Sequence, residues 1–596
     1  MKKQFFLLPL LGAMIAGCSS DNAMTDNGTL PESYANSYLS VSVMGANSAG
    51  IRAAGDEDDS YAQGDGKYQD GTPEENKVNQ VRFFFFYDNG DPAMVQKTTT
   101  TGTYLSYLDM DMDNKTEGGP NHDNETVEKI IETTLRLNIP DGHANPNKVL
   151  AVINPTNAIK KLNNPTWTQI EEEINNYKID GENELTNENF VMSNSVYAND
   201  NKEVFDAQIL TDINFQTTDK AAEENPVKMY VERVLARLDF SLSMTKNTST
   251  EVNGQTIYKL NVPEGATNAQ YEINDGEKSE GEDIYVKFLG WNITGTPTES
   301  RLVKEINGEW TDQDLFGTDA PRWTTTDYHR SFWALNPNLG DAPTIGDYQT
   351  NDNYEFVSFN ETTLPIPTSE ESTKTTYLQE NANGYSTDKK AAAPDYATKV
   401  IIAAQLVNAD GTDKTLAKWL NGYYTLEGVK TAMANMLPDL YTQGENGEYV
   451  RVKPGDLTLK QATIEGAKKY YAQATVETEN KIWYEKIGDE YKEITDDVNN
   501  GYIYTKLGYA LVWTTGKTYY YFDIQHLGKE GSVGWNGVVR NHIYKTDITS
   551  IAGLGTPVYD PDEEIFPETP TKESIISAKV NILSWRIVSH DYELVW

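Results

Sequence analysis

The sequence predicts an all-β fold made of antiparallel sandwiches, and three observations predict it. Short segments either alternate apolar and polar residues or run apolar, which is how half-buried and fully buried strands read. Gly, Pro, Asn, Asp and Thr punctuate those segments at the spacing of turns between short strands. Aromatic residues make up 11% of the chain, with 36 Tyr and 11 Trp, so there are enough large side chains to fill real cores. The spacing favours sandwiches over parallel βαβ units, and no repeat of solenoid or propeller period is present.

Taken in order, Tyr38 to Met44 reads as a strand, with Leu39, Val41 and Val43 on one face and Ser40 and Ser42 on the other. Residues 45 to 77 are rich in Gly, Asp, Ser and Asn and predict an exposed loop. Val78 to Tyr87, VNQVRFFFFY, is a strand covered on both faces. Leu135 to Ile139 and Lys148 to Asn154 are further strands. Residues 157 to 176 predict a helix that begins after Pro165 and carries Trp167, Ile170 and Ile174 at helical spacing. The polar stretch 216 to 226 ends in Pro226, and a domain boundary is expected just before Val227. Val234, Ala236, Leu238, Phe240, Leu242 and Met244 then share one face of what reads as a single long strand. Strands follow at 283 to 294, 397 to 407, 502 to 513 and 518 to 527, with a helix around Leu416 to Leu437. Residues 559 to 573 are rich in proline and acid and should be extended. Beyond them Ile576, Ala578, Val580 and Ile582 alternate with Ser577, Lys579 and Asn581, and a second strand runs from Ser584 to Trp596.

The formal net charge of the 596 residues is −40. Nucleic acid and anionic membrane surfaces are excluded as partners, because both require clustered Lys and Arg. The acidity serves solubility and mutual repulsion. Cys18 is the one cysteine, so no intrachain disulfide can form. Its setting gives it a different meaning. Lys2 and Lys3 precede an apolar stretch, Phe5 to Gly17, that is too short to span a bilayer. Ile15-Ala16-Gly17-Cys18 then fits the lipobox of bacterial lipoproteins, and Ser19 to Asn22 follow as a polar tether. The expectation is an exported chain lipidated at Cys18.

The motifs of catalysis are missing from the sequence. There is no phosphate-binding loop, no G-x-S-x-G elbow and no H-E-x-x-H. The six histidines, His122, His143, His329, His526, His542 and His590, lie at no metal-ligand spacing. No cofactor is expected, and the chain reads as a non-enzyme, although two carboxylates of a glycosidase could meet only in space. Asp109, Asp111 and Asp113 in DMDMDNK begin like a calcium loop, but Pro120 stands where the bidentate glutamate belongs. They are weak candidates for a cation and otherwise read as an ordinary solvated loop.

Several segments in a fixed order resemble a known family. They are the lipobox at Cys18, the strand and arginine between Tyr38 and Arg52, YVERVLARLDF at 230–240 and HRSFWALNP at 329–337. ATKVIIAAQL at 397–406, GVVRNHIYKTDITSIAGLGTPV at 537–558 and ISAKVNILSW at 576–585 complete the set. The chain resembles the Bacteroidales fimbrillins, the FimA and Mfa1-like major subunits of type V pili. The inserts at 340–395 and 440–500 match nothing in that pattern.

The resemblance implies two tandem transthyretin-like β-sandwich domains and a fixed processing route. Residues 1–17 would be the lipoprotein signal peptide and 18–52 a propeptide with the lipid anchor and a leaving strand. Residues 53–226 would form the N-terminal sandwich, 227–573 the C-terminal sandwich with insertions, and 574–596 a donor strand. A trypsin-like protease would cut between Arg52 and Ala53, removing Leu39, Val41 and Val43. The vacancy would accept Ile576, Ala578, Val580 and Ile582 from a neighbouring copy by strand addition. The implied partners are other copies of the chain in a head-to-tail filament, anchor and tip fimbrial subunits, the processing protease, and host or bacterial surface ligands. The implied location is a cell-surface fimbria reached through an outer-membrane lipoprotein intermediate. On the residues alone, a single Arg in a polar loop is usually a solubilising charge, and a C-terminal strand usually folds onto its own domain. A tip or anchor subunit, or a surface lipoprotein that binds or hydrolyses glycans, stays open as an alternative.

Overall fold

The computed structural model describes residues 35–46, 68–69, 72, 75–98, 102–112, 127–140, 142–175, 190–194, 197–198, 204–205, 207–224, 226–262, 270–304, 354–367, 373–381, 397–464, 467–526, 537–567 and 585–595. Strands dominate, as the sequence predicts, and helices are few and short.

The first large sheet has the spatial order Tyr107–Asp111, Gln80–Phe86, Lys148–Ile153, Met192–Asn194, Val227–Arg233, Ala35–Ala46 and Val127–Ile139. Phe83, Phe84, Phe85 and Phe86 are all buried, so the strand at 80–86 is covered on both faces as expected. The predicted helix over 157–176 is instead two short ones, Asn157–Lys160 and Trp167–Glu171. Each is capped by a threonine, Thr156 and Thr166, and Pro165 between them cannot continue a helix. Trp167 and Ile170 still reach the core, and Ile174 lies in a two-residue strand beyond the helix.

The expected long strand across Val234 is broken. Val227–Arg233 belongs to the first sheet, while Ala236–Leu242 runs in another. The chain changes sheets at Val234 and Leu235, seven residues beyond the point that composition suggested, and both residues are buried in the first core. Apolar alternation carries no mark of that change, because each half is buried in its own sheet.

The second sheet has the order Tyr68–Gln69, Trp585–Val595, His542–Ala552, Ala236–Leu242 and Lys374–Leu378. It packs on a third sheet whose long members are Tyr285–Thr294, Lys399–Val407 and Lys517–Asp523. Leu238 and Phe240 meet Trp291, Val400, Ile402 and Tyr520 between the two, and the Phe240 and Trp291 rings stack with centroids 4.7 Å apart. Ile401 and Ala403 on the opposite face are covered by Val357, Phe359 and Ile565, which explains an uninterrupted apolar run. The sheets are mixed and not purely antiparallel: Ala35–Ala46 runs parallel to Val227–Arg233, and His542–Ala552 runs parallel to both of its neighbours.

A third core gathers residues between Ala417 and Val512, among them Leu440, Leu457, Trp483 and Val498 of the unmatched 440–500 insert. The helix expected over 416–437 is present only as Leu426–Asn435, capped by Thr425 and preceded by the strands Leu416–Trp419 and Gly422–Tyr424. The expected strand over 502–513 is helical in its first part. Asp497 accepts bonds from the amides of Asn499 and Asn500, and a helical run carries Ile503 and Leu507 inward before Gly508 ends it at φ +64°. Only Leu511–Trp513 is strand.

Candidate assembly site

The strand Ala35–Ala46 lies between two neighbours inside the first sheet. On one side it runs parallel to Val227–Arg233, with Val41 beside Val227 and Val43 beside Met229. On the other it runs antiparallel to Val127–Ile139, with Leu39 opposite Leu135 and Val41 opposite Thr133. Gln216 extends the first ladder by exchanging both backbone bonds with Tyr38, at 2.7 and 2.9 Å. Leu39 and Val41 are wholly buried, and Ser40 on the opposite face is only 5% exposed. Each of these two aliphatic side chains contributes about 1.5–3 kcal/mol. Each ladder bond adds about 0.5–1.5 kcal/mol. Removal of this strand would part Val127–Ile139 from Val227–Arg233 and open two facing rows of backbone donors and acceptors.

Trp585–Val595 is placed differently. It runs parallel to His542–Ala552, with His542 beside Arg586, and among the described residues its other side meets only Tyr68–Gln69. Ile576, Ala578, Val580 and Ile582 lie outside the described residues, as do Cys18, Arg52, Ala53 and Asp113. Val43 is described through its backbone pairing alone.

The remaining carboxylate candidates have other occupations. Asp109 and Asp111 are on the strand Tyr107–Asp111 and not in a loop. Arg82 holds Asp109 through two bonds of 2.7 Å, and Gln80 donates to Asp111 at 2.7 Å. Among the described residues no group of His, Cys, Asp and Glu is arranged to hold a metal ion.

Sequence reading missed a buried polar joint between the first and second sheets. Glu75 is fully buried. It accepts bonds from the Thr72 amide at 2.8 Å, the Tyr377 hydroxyl at 2.6 Å and Arg237 Nη1 at 3.3 Å. Arg237 also forks onto Asp239 at 2.8 and 3.0 Å. Burial pulls the Arg237 guanidinium pKa down, but Asp239 and Glu75 outweigh it and the net direction is up. Burial and the Glu75 charge push the Tyr377 phenol well up, so it stays a donor. Arg233 donates to the Glu75 carbonyl at 3.0 Å and to Asn541 at 3.1 Å. A second set stands nearby. Arg540 binds Glu380 at 2.6 Å and the Leu302 carbonyl at 2.9 Å, and buried Lys304 meets buried Glu232 at 3.0 Å. Burial draws the Lys304 pKa down against the pull of Glu232. The available signal was the pair Arg233 and Arg237 inside an otherwise apolar strand pattern. Thr72, Glu75 and Asn76, downstream of the expected cut, are therefore fastened to the body independently of the leading strand.

This is a strand-built protein whose N-proximal strand is an interior member of a sheet. Residues 512–591 match the family model described as major fimbrial subunit protein type IV, fimbrillin, C-terminal, and the resemblance read from the sequence is borne out there. No curated protein matches the chain. Among solved structures it is similar to a fimbrilin (FimA) from Porphyromonas gingivalis, at 11% identity over 94% of this chain and 97% of that one, TM-score 0.33. It is similar to a fimbrial assembly protein from Parabacteroides distasonis, at 12% identity over 65% and 93%, TM-score 0.26. A third similarity is to the tip fimbrial protein Mfa3 from Porphyromonas gingivalis, at 13% identity over 41% and 64%, TM-score 0.19.

Proposed function

We propose that the protein is a shaft subunit of a cell-surface fimbria, exported as a lipoprotein precursor and polymerised by strand exchange. The observation that carries this reading is the position of Ala35–Ala46, bonded on both sides within a sheet yet lying between a lipobox and an arginine-bearing polar segment. Cutting after Arg52 frees residues 18–52 together with the lipid, and the open lane receives the tail of a neighbouring copy. Such a contact is head-to-tail and does not close on itself, so it propagates. The chain acts in this reading as a building block and not as an enzyme. Its further partners are anchor and tip subunits, the trypsin-like processing protease, and host or bacterial surface ligands.

The test is to treat purified precursor with a trypsin-like protease and to follow it on unboiled gels and by electron microscopy. Ladders and filaments that arise only after cutting support the reading. A cut protein that stays monomeric at high concentration refutes it.

A further inference from the structure

We propose that the lane left by Ala35–Ala46 accepts Ile576–Val580 of a second copy in one register. Ile576 takes the Leu39 position, Ser577 that of Ser40, Ala578 that of Val41 and Val580 that of Val43. This rests on the strand exchange proposed above and specifies its register.

The constraint comes from Ser40. A strand with one face to solvent accepts any polar residue between its inward positions. Here both faces are closed. Leu39 and Val41 are wholly buried, and Ser40 is 5% exposed although it points the other way. The short helix Asp219–Glu223 packs against the leading strand, with Ala222 fully buried. The lane therefore requires an apolar, small, apolar triplet at positions 39 to 41.

Ile576-Ser577-Ala578, followed by Val580, meets that requirement. Sliding the tail by two residues puts Lys579 at the Ser40 position and buries an ammonium without a designed partner. Sliding it by four places Asn581, a larger amide, at the enclosed Ser40 position. Leu583-Ser584-Trp585 would press an indole into a valine site, and Val588-Ser589-His590 an imidazole. A shift by one residue exchanges the two faces.

Engineered cysteines test the register. Thr134 lies directly opposite Ser40, and therefore opposite Ser577 of the incoming strand. Directly opposed positions are within disulfide reach, whereas a displacement of two residues is not. Two double variants are compared, Thr134→Cys with Ser577→Cys and Thr134→Cys with Lys579→Cys. Each is first shown to unfold thermally as the parent precursor does. After cutting and mild oxidation no native thiol interferes, since Cys18 lies upstream of the cut. The expected result is a reductant-sensitive covalent ladder from the Ser577 pair, and at least about tenfold less from the Lys579 pair. A ladder from the Lys579 pair alone, or non-covalent ladders that neither pair locks, would overturn the register and leave strand exchange standing. Cut protein of both variants and of the parent that forms no ladder of any kind would overturn the exchange itself.

Discussion

The first and last strands that the structure describes are held in opposite ways. Ala35–Ala46 is bonded along both sides within a sheet, and its side chains at 39–41 are buried on both faces. Among the described residues, Trp585–Val595 is bonded along its length on one side and meets only Tyr68–Gln69 on the other. A strand held on one edge can peel away by breaking a single ladder. A strand held on two must break both and leave a slot, at a cost comparable with the stability of a small domain. In the proposed exchange the leading strand therefore needs covalent cutting to leave, whereas Trp585–Val595 is held, among the described residues, by one long ladder.

The largest effect tests the first half of that contrast. Arg52→Ala precursor, treated with the processing protease, should remain monomeric on unboiled gels, and ladders from it would show that the strand leaves without this cut. Next, Ile576→Asp combined with Val580→Asp, which spares Trp585–Val595, should leave a folded subunit, judged by an unchanged cooperative thermal transition, that adds to no filament. Normal fibres from that variant would remove residues 576–580 from assembly. Smaller in effect, Glu75→Ala should destabilise the precursor by about 3 kcal/mol in urea unfolding, because Arg237 and Tyr377 lose a buried charged partner. A loss under about 1 kcal/mol would mean that the joint does not fasten the chain downstream of the cut. The smallest concerns fit. Ala578→Val should strengthen subunit contacts by about 1–1.5 kcal/mol, since the lane holds Val41 at that position in the precursor. Slower dissociation of filaments in denaturant would register it, and faster dissociation would argue for a different register.

Much of the fold was legible where one strand lies in one sheet. VNQVRFFFFY and KVIIAAQLV are long apolar runs because both faces are covered, and periodicity reports that directly. The leading strand was legible from Leu39, Val41 and Val43, yet nothing in its alternation said that Ser40 would also be enclosed. A helix at 219–223, far off in sequence, packs against this strand. The switch at Val234 and Leu235 was invisible for a similar reason, since apolar spacing persists while the hydrogen-bond partners change. Ile503 and Leu507 sit four apart within a segment that also alternates, and local capping by Asp497 decided for helix. The Glu75 joint was hidden because its members come from residues 75, 237, 239 and 377, which only the folded chain brings together.

The central claim is that the interior strand departs and a neighbour's tail replaces it. The most direct measurement is the N-terminal residue of the protein in assembled surface fibres, read by mass spectrometry. The account predicts Ala53. Fibres whose subunits still carry residues 35–46 would contradict it.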